Sequence, residues 1–313
     1  SRFFLPLPKR LLADYPEEYE NLVLKSTSKY NGKIYPFLDL AGVGVAFKLV
    51  QAMQEKMTGL DNGQEKWLLD LVALGTVCDV VNLTNENRAN VYWGLKVMAK
   101  THRPGLKALM AVSGVNSDKI TTKSLGFALG PRMNASGRLE TAQYSLDLLR
   151  SRNASEAFEL AQKLDVFNTT RKSNQEKIFQ EAVQQAGHFV NDNVLVVSGE
   201  NWSHGIIGIV AAKLMEKFHK PTFVLEEMGD EAKGSARSYG DFSVAEAIRY
   251  AEDIITKGGG HTFAAGVTLP TENIHRFRSK VNEYYRTKKL FNQESFLLPQ
   301  SDVVASLERV TED

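Results

Sequence analysis

Apolar and polar positions along this chain follow a helical period in one half and shift toward alternation in the other. From Leu40 to Met57 (LAGVGVAFKLVQAMQEKM) apolar residues recur at helical spacing after a glycine-rich start, which predicts a buried helix packed closely on a neighbour. Asn62-Gly63 marks a turn, and Glu65 to Leu74 continues as helix. The run Gly75 to Val81 is short and β-branched and reads as a strand end or tight turn. Glu86 to Lys100, Pro104 to Val112 and Ser124 to Leu129 carry further helical patterns, so this half is mostly helical and poor in strands. Ala154 to Ala186 is long, charged and free of proline, and it ends at Gly187; it predicts a helix connecting two domains.

Past Gly187 the period changes. Asn193–Ser198 reads as a buried strand, Ile206–Phe218 as a helix and Thr222–Leu225 as a second strand. That strand-helix-strand unit implies a second α/β domain from roughly Asp192 to Leu290, with further helices at Val244–Ile255 and Glu272–Tyr285. At the chain's ends, Lys9–Leu24 reads as an amphipathic helix of a leading segment, Ser26–Pro36 as a polar loop and Asp302–Ser306 as the start of a strand.

A length of 313 residues fits about two domains, with room for a cleft. Hydrophobic residues at 43% and charged residues at 24% exclude a disordered, collagen-like or disulfide-scaffold chain. The net charge of +1 supplies no bulk field for nucleic acid or membrane, so any polyanion site is local. Cys78, the one cysteine, makes neither an internal disulfide nor a thiolate metal cage, which fits a reducing compartment and a cytoplasmic location. No run of eighteen apolar residues occurs, and the proline-broken start does not read as a signal peptide, so a soluble protein without a membrane partner is expected.

Four segments carry candidate chemistry. Gly130–Arg138 (GPRMNASGR) places two arginines, an amide and a hydroxyl in what reads as a glycine turn, suited to an anion; the bland outcome is arginines paired with nearby acids. Asn201–Gly208 (NWSHGIIG) joins a strand to a helix and points free N–H groups at the ligand side of an open sheet; either His204 at the helix start donates to phosphate and Trp202 stacks on a base, or the two merely cap and pack the junction. Lys233–Ser238 (KGSARS) and Gly258–Gly266 (GGGHTFAAG) bring glycines beside Ser235, Arg237 and His261, letting a backbone approach a ligand closely. Their bland outcomes are a flexible turn and a tight helix–sheet contact. Asp79 stands out as a carboxylate in an apolar run, to be hydrogen-bonded, paired or metal-bound. One carboxylate makes no divalent site, and no DxD or paired-histidine cluster accompanies it.

Taken in order, Leu40–Phe47, Leu74–Val80 with Glu86-Asn87-Arg88, Gly130–Leu139, Ser203–Gly208, Gly234–Ser238 and Gly259–Gly266 resemble the motifs of the RecJ single-stranded-DNA exonucleases of the DHH phosphoesterase superfamily. The resemblance runs nearly continuously from Tyr35 to Leu290. It implies an α/β fold: a leading segment and join (1–34), the C-terminal part of a DHH domain with a parallel sheet and helices (35–152), and a connector helix (153–187). A DHH-associated domain (188–291) and a linker with the first strand of an OB-like domain (292–313) follow, and single-stranded DNA is expected in the groove between the two main domains. It also implies metal-assisted 5′→3′ hydrolysis of single-stranded DNA in repair and recombination, with two Mn²⁺ or Mg²⁺ ions, and partners such as single-strand-binding protein and a repair helicase.

Carried over by position, Asp79 matches the metal-binding aspartate and catalytic position of the family's fourth motif. Arg132, Asn134 and Arg138 fall in its substrate motif. Gly234, Ser235, Arg237, Gly259, Gly260 and His261 match the phosphate side of the associated domain, and His204 lies in a further motif. One departure stands out: Arg2–Lys25 resembles the family's leading segment and Tyr35–Leu40 a point well inside its DHH domain, so the segment with the DxD and DHH motifs is expected to be missing between Lys25 and Tyr35. With one expected metal carboxylate, little or no nuclease activity follows for the chain as it stands. A non-catalytic scaffold that grips single-stranded DNA, and a DHH-type phosphodiesterase of oligonucleotides or cyclic dinucleotides, are the alternatives.

Overall fold

The computed structural model of the chain describes residues 37, 39–56, 61 and 63–288. The leading helix, the join before Tyr35 and the strand at Asp302–Ser306 lie outside the described residues. The chain divides into two compact units between Thr170 and Arg171.

The described part of the first unit is helical: α1 (Gly42–Lys56), α2 (Leu69–Cys78), α3 (Asn85–Ala99), α4 (Pro104–Val112), α5 (Gly130–Leu139) and α6 (Gln143–Arg150). No strand occurs among its described residues, so the expected parallel sheet is not found there. Its core joins Leu74, Val91, Met98, Leu106, Leu109, Leu125, Leu129, Leu148 and Leu164. Close approach of the helices depends on missing side chains: a Cβ on Gly94 would lie 2.3 Å from the Leu69 carbonyl oxygen, and one on Gly105 only 1.9 Å from that of Leu148.

Two expectations are corrected in this unit. Gly75–Cys78 completes α2 rather than forming a strand end, because Leu74 and Thr76 are buried on a continuing helix and the Asp79 amide still donates to the Gly75 carbonyl at 3.0 Å. Gly130–Leu139 is helix rather than turn: a π-helical stretch, Leu125–Leu129, leads directly into α5, with Pro131 just past the junction.

The long helix α7 (Ala154–Gly187) forms over the range that its charged, proline-free pattern predicts. Its first half contributes Ala157, Ala161 and Leu164 to the first core. In the second unit Gln185 binds the edge strand as a peptide would. Its amide donates to the Ser198 carbonyl at 2.9 Å, and its carbonyl accepts the Ser198 N–H at 2.7 Å.

The second unit is a mixed sheet in the order β1-β2-β3-β5-β4, built from β1 (Leu195–Glu200), β2 (Thr222–Met228), β3 (Glu231–Arg237), β4 (Lys257–Gly260) and β5 (Ala264–Pro270). β1 and β2 are parallel through the crossover helix α8 (His204–Phe218), as the strand-helix-strand pattern predicts, and the other pairings are antiparallel. Lys233–Ser238 is mostly strand, not the flexible turn of its bland outcome. Alternate residues Ala232, Gly234 and Ala236 face a core with Phe223, Leu225, Val267 and Leu269. Helices α9 (Val244–Tyr250) and α10 (Ile274–Thr287) close that core with Ala247, Ile248, Phe277 and Val281. α8 packs on the opposite face, against β2 and β3.

Candidate functional site

The period of a strand decides which residues of the second unit meet. Residues opposite one another on neighbouring antiparallel strands point to the same side. Ser235 on β3 is paired with Gly266 on β5, which is paired with Gly259 on β4. The adjoining rows add Lys233, Thr268 and Lys257 on one side, and Arg237 with Ala264 on the other. This is the face on which α8 lies, yet Gly259 and Gly266 are exposed. The sheet is therefore covered over β2 and β3 and paved with bare glycine backbone over β5 and β4.

Ser235 and Arg237 sit at the boundary. A Cβ on Gly208 of α8 would come within 2.9 Å of the Ser235 hydroxyl and 3.2 Å of the Arg237 guanidinium, so the helix approaches these two side chains as closely as a glycine permits. The Arg237 guanidinium donates to its neighbour's carbonyl, Ala236, at 2.8 Å and to the Ser235 hydroxyl at 3.3 Å. His204 stands one turn before Gly208 on the same stripe of α8 and is exposed. Its N-cap, Ser203, makes no side-chain capping bond.

At the other margin, His261 donates its amide to the Ala264 carbonyl at 2.9 Å and closes the β4–β5 hairpin. Gly260 holds φ at 153° there, and a Cβ would strike the Ala264 carbonyl oxygen at 2.6 Å. Nothing lies within 4 Å of the space over Gly259. Of the six positions expected on the phosphate side, Ser235, Arg237, Gly259 and His261 thus converge on one open face or its rim. Gly234 belongs to the opposite, core face, where a Cβ would meet the Leu225 side chain at 2.2 Å; packing accounts for it. Lys233 and Lys257 join the face without having been singled out. The period-two spacing of Lys233, Ser235 and Arg237 is the strand signal that would have found the first of them.

Trp202 is 4% exposed, its ring lies against Gly199, and its indole N–H donates to Glu181 at 2.8 Å. It packs the junction and is not available to stack on a base.

The first unit holds the other candidates. Asp79 is exposed at the C-terminal end of α2, where the helix dipole disfavours a carboxylate. The next residue, Val80, is 88% exposed with φ at 57°, a left-handed conformation costly for a β-branched side chain. The buried carboxylate of α2 is instead Asp70, 1% exposed, which accepts from the Leu71 amide, the Thr101 hydroxyl and the Arg103 guanidinium at 2.8–3.3 Å. Asn87 is fully buried and donates to the Asp39 and Asn82 carbonyls at 2.7 and 3.0 Å, tying the start of α1 to the loop that follows Asp79.

The end of α2 and the start of α5 are in contact. A Cβ on Gly130 would lie 2.4 Å from the Cys78 sulfur. Burial, together with the charge of Asp79, pushes the Cys78 thiol up from 9.0 to about 11. Within α5, Arg132 meets the bland outcome of pairing with an acid: it donates to Asp165 at 2.7 Å and to the Ala128 carbonyl at 2.9 Å. Asn134 and Arg138, one turn apart, share an exposed face from which Arg132 is turned away. Among the described residues no group of three His, Cys, Asp or Glu side chains could hold a metal, so these residues do not fit a two-metal centre. No described helix is long and apolar enough to cross a membrane.

Residues 191–287 match the DHHA1 domain family. The chain is 40% identical to the single-stranded-DNA-specific exonuclease RecJ of Bacillus subtilis (strain 168), over 90% of this chain and 35% of that protein. The chain is thus a homologue of the RecJ exonucleases over most of its own length and carries a DHHA1 domain. Its identity to the Escherichia coli (strain K12) RecJ is 36%, over 80% of this chain and 46% of that protein. The solved structure of RecJ from Thermus thermophilus in complex with Mn²⁺ superposes with a TM-score of 0.73 at 31% identity, covering 80% of this chain and 37% of that one. A second structure of the same RecJ, with Mg²⁺, gives 0.71 at 32% identity over 79% and 38% of the two chains. The chain spans between a third and a half of the length of those curated relatives.

Proposed function

We propose that this chain grips single-stranded DNA by its sugar–phosphate backbone on the bare half of the DHHA1 sheet, as part of a metal-dependent 5′→3′ exonuclease of repair and recombination. One observation carries the reading: Ser235 and Arg237 stand at the step where α8 gives way to the glycine floor of Gly259 and Gly266. There the guanidinium and hydroxyl donate to phosphate oxygens, Lys233 and Lys257 add positive charge, and the absent side chains admit the backbone closely. His204 and His261 flank the floor as further donors, and Asn134 with Arg138 offers a second polar face in the DHH unit.

Mn²⁺ or Mg²⁺, the ions in the related structures, would supply the hydrolytic chemistry of the whole protein, with Asp79 contributing one carboxylate and the remaining ligands coming from outside the described residues. The lack of a described three-ligand group favours a second reading for this chain taken alone, strand binding without cleavage. The assignment of residues 35–152 to the DHH domain, 153–187 to the connector and 188–291 to the associated domain belongs to the same proposal. So do a cytoplasmic location and the partnership with single-strand-binding protein and a repair helicase.

The test is binding of a 3′-labelled oligothymidylate in the presence of a chelator. Arg237→Ala is expected to weaken binding about 10- to 100-fold, as loss of charge-assisted bonds to one phosphate requires. The salt dependence should flatten by about 0.7 in log–log slope for each phosphate no longer neutralised. Asp79→Asn should bind as the parent does. An Arg237→Ala chain with parental affinity and salt dependence would refute the proposal.

A further inference from the structure

The glycine floor ends in a hairpin whose tip is Thr262 and Phe263. Phe263 is 70% exposed, so its ring gains little from folding. Its backbone is nevertheless held firmly. The Ser238 amide donates to the Phe263 carbonyl at 3.0 Å, the Val244 amide to the Thr262 carbonyl at 3.1 Å, and the His261 amide to the Ala264 carbonyl at 2.9 Å. A large aromatic ring is thus presented to solvent on a turn fixed from three sides. Phe263 is two residues from His261, which places their Cα atoms no more than about 7 Å apart, within the span of one nucleotide. The open floor over Gly259 adjoins the same turn.

We propose that Phe263 is a stacking platform for a base of the bound single strand, holding that base while the floor holds its phosphates. The assignment rests on the reading above that this face binds a DNA backbone, and it adds a contact to the bases themselves. Stacking on a ring is sequence-tolerant because every base has a π-face, so Phe263 favours strands that carry accessible bases without choosing among them. A duplex, whose bases are already stacked, gains nothing from the ring.

The experiment compares the full chain with Phe263→Ala and Phe263→Trp, in chelator, on two 3′-labelled strands of equal length: oligothymidylate and an all-abasic backbone. Loss of one stacked base predicts that Phe263→Ala binds oligothymidylate about 5- to 100-fold more weakly, with its affinity for the abasic strand and its salt slope unchanged. Phe263→Trp should restore parental binding. A Phe263→Ala chain that binds both strands as the parent does, or loses the same factor on both, overturns the assignment while leaving the backbone reading in place. A parent chain that binds neither strand overturns both.

Discussion

The sheet face around Arg237 and the helix end at Asp79 both carry residues expected to meet the substrate, but only one of them is assembled by its own neighbourhood. On the sheet face, Ser235, Gly266 and Gly259 are brought into one row by antiparallel pairing within a single small domain, and α8 adds Gly208 against them. At Asp79, a single exposed carboxylate follows the last turn of α2, next to a valine in left-handed conformation. Backbone strain of that kind persists where surrounding structure holds it, and among the described residues no group of three His, Cys, Asp or Glu side chains gathers there. The difference teaches that a glycine-floored polar face can be assembled by local strand register, whereas a two-metal centre needs carboxylates from several distant segments.

The largest effect that would separate the two regions comes from Gly130→Ala. The new methyl would meet the Cys78 sulfur at 2.4 Å and the Leu125 carbonyl at 3.0 Å, so overpacking should cost about 1–3 kcal/mol and lower the melting temperature. Affinity for single-stranded DNA in chelator should not change if the sheet face binds independently.

Gly208→Ala is the converse and smaller change. Its methyl meets the ends of the Ser235 and Arg237 side chains, which can move, so the fold should keep its stability while oligothymidylate binding falls about 3- to 10-fold. Unchanged affinity would show that the approach of α8 does not position those donors.

The smallest effect concerns pH. The Cys78 thiol is raised by burial and by Asp79 from 9.0 to about 11, so the protonated form is the one the fold favours. The stability this contributes is complete below pH 9 and is lost as pH rises toward 11. Denaturant titrations of the parent and of Cys78→Ser across that range check the sign: the parent's decline should be the steeper. Equal slopes would remove the link between this sulfur and the packing of Gly130.

Much of the helical scaffold was legible in the sequence. Helices α1, α3, α4 and α7 and the β1-α8-β2 unit all carry periodicity strong enough to read, because a buried stripe of fixed spacing has few alternative structures. β3 was not legible. Its core-facing positions are Ala232, Gly234 and Ala236, small residues with weak strand preference, and only pairing with β2 and β5 makes an extended chain the favourable state there. Gly75–Cys78 misled in the other direction: β-branched residues suggest a strand, but packing of Leu74 and Thr76 inside the first unit keeps the helix going.

What the sequence determined by itself was the order of the motifs and, through them, the RecJ kinship, together with the chemistry each position offers: a guanidinium at 237, a hydroxyl at 235, bare backbone at 259 and 266, a carboxylate at 79. The tertiary structure decided which of these share a surface. It set Gly234 into the core and Ser235 onto the open face, because neighbouring residues of a strand point to opposite sides. It paired Arg132 with Asp165, buried Trp202 on Glu181, and left Phe263 in solvent on a pinned turn. Such outcomes depend on pairings between segments far apart in the chain, and no local period encodes them.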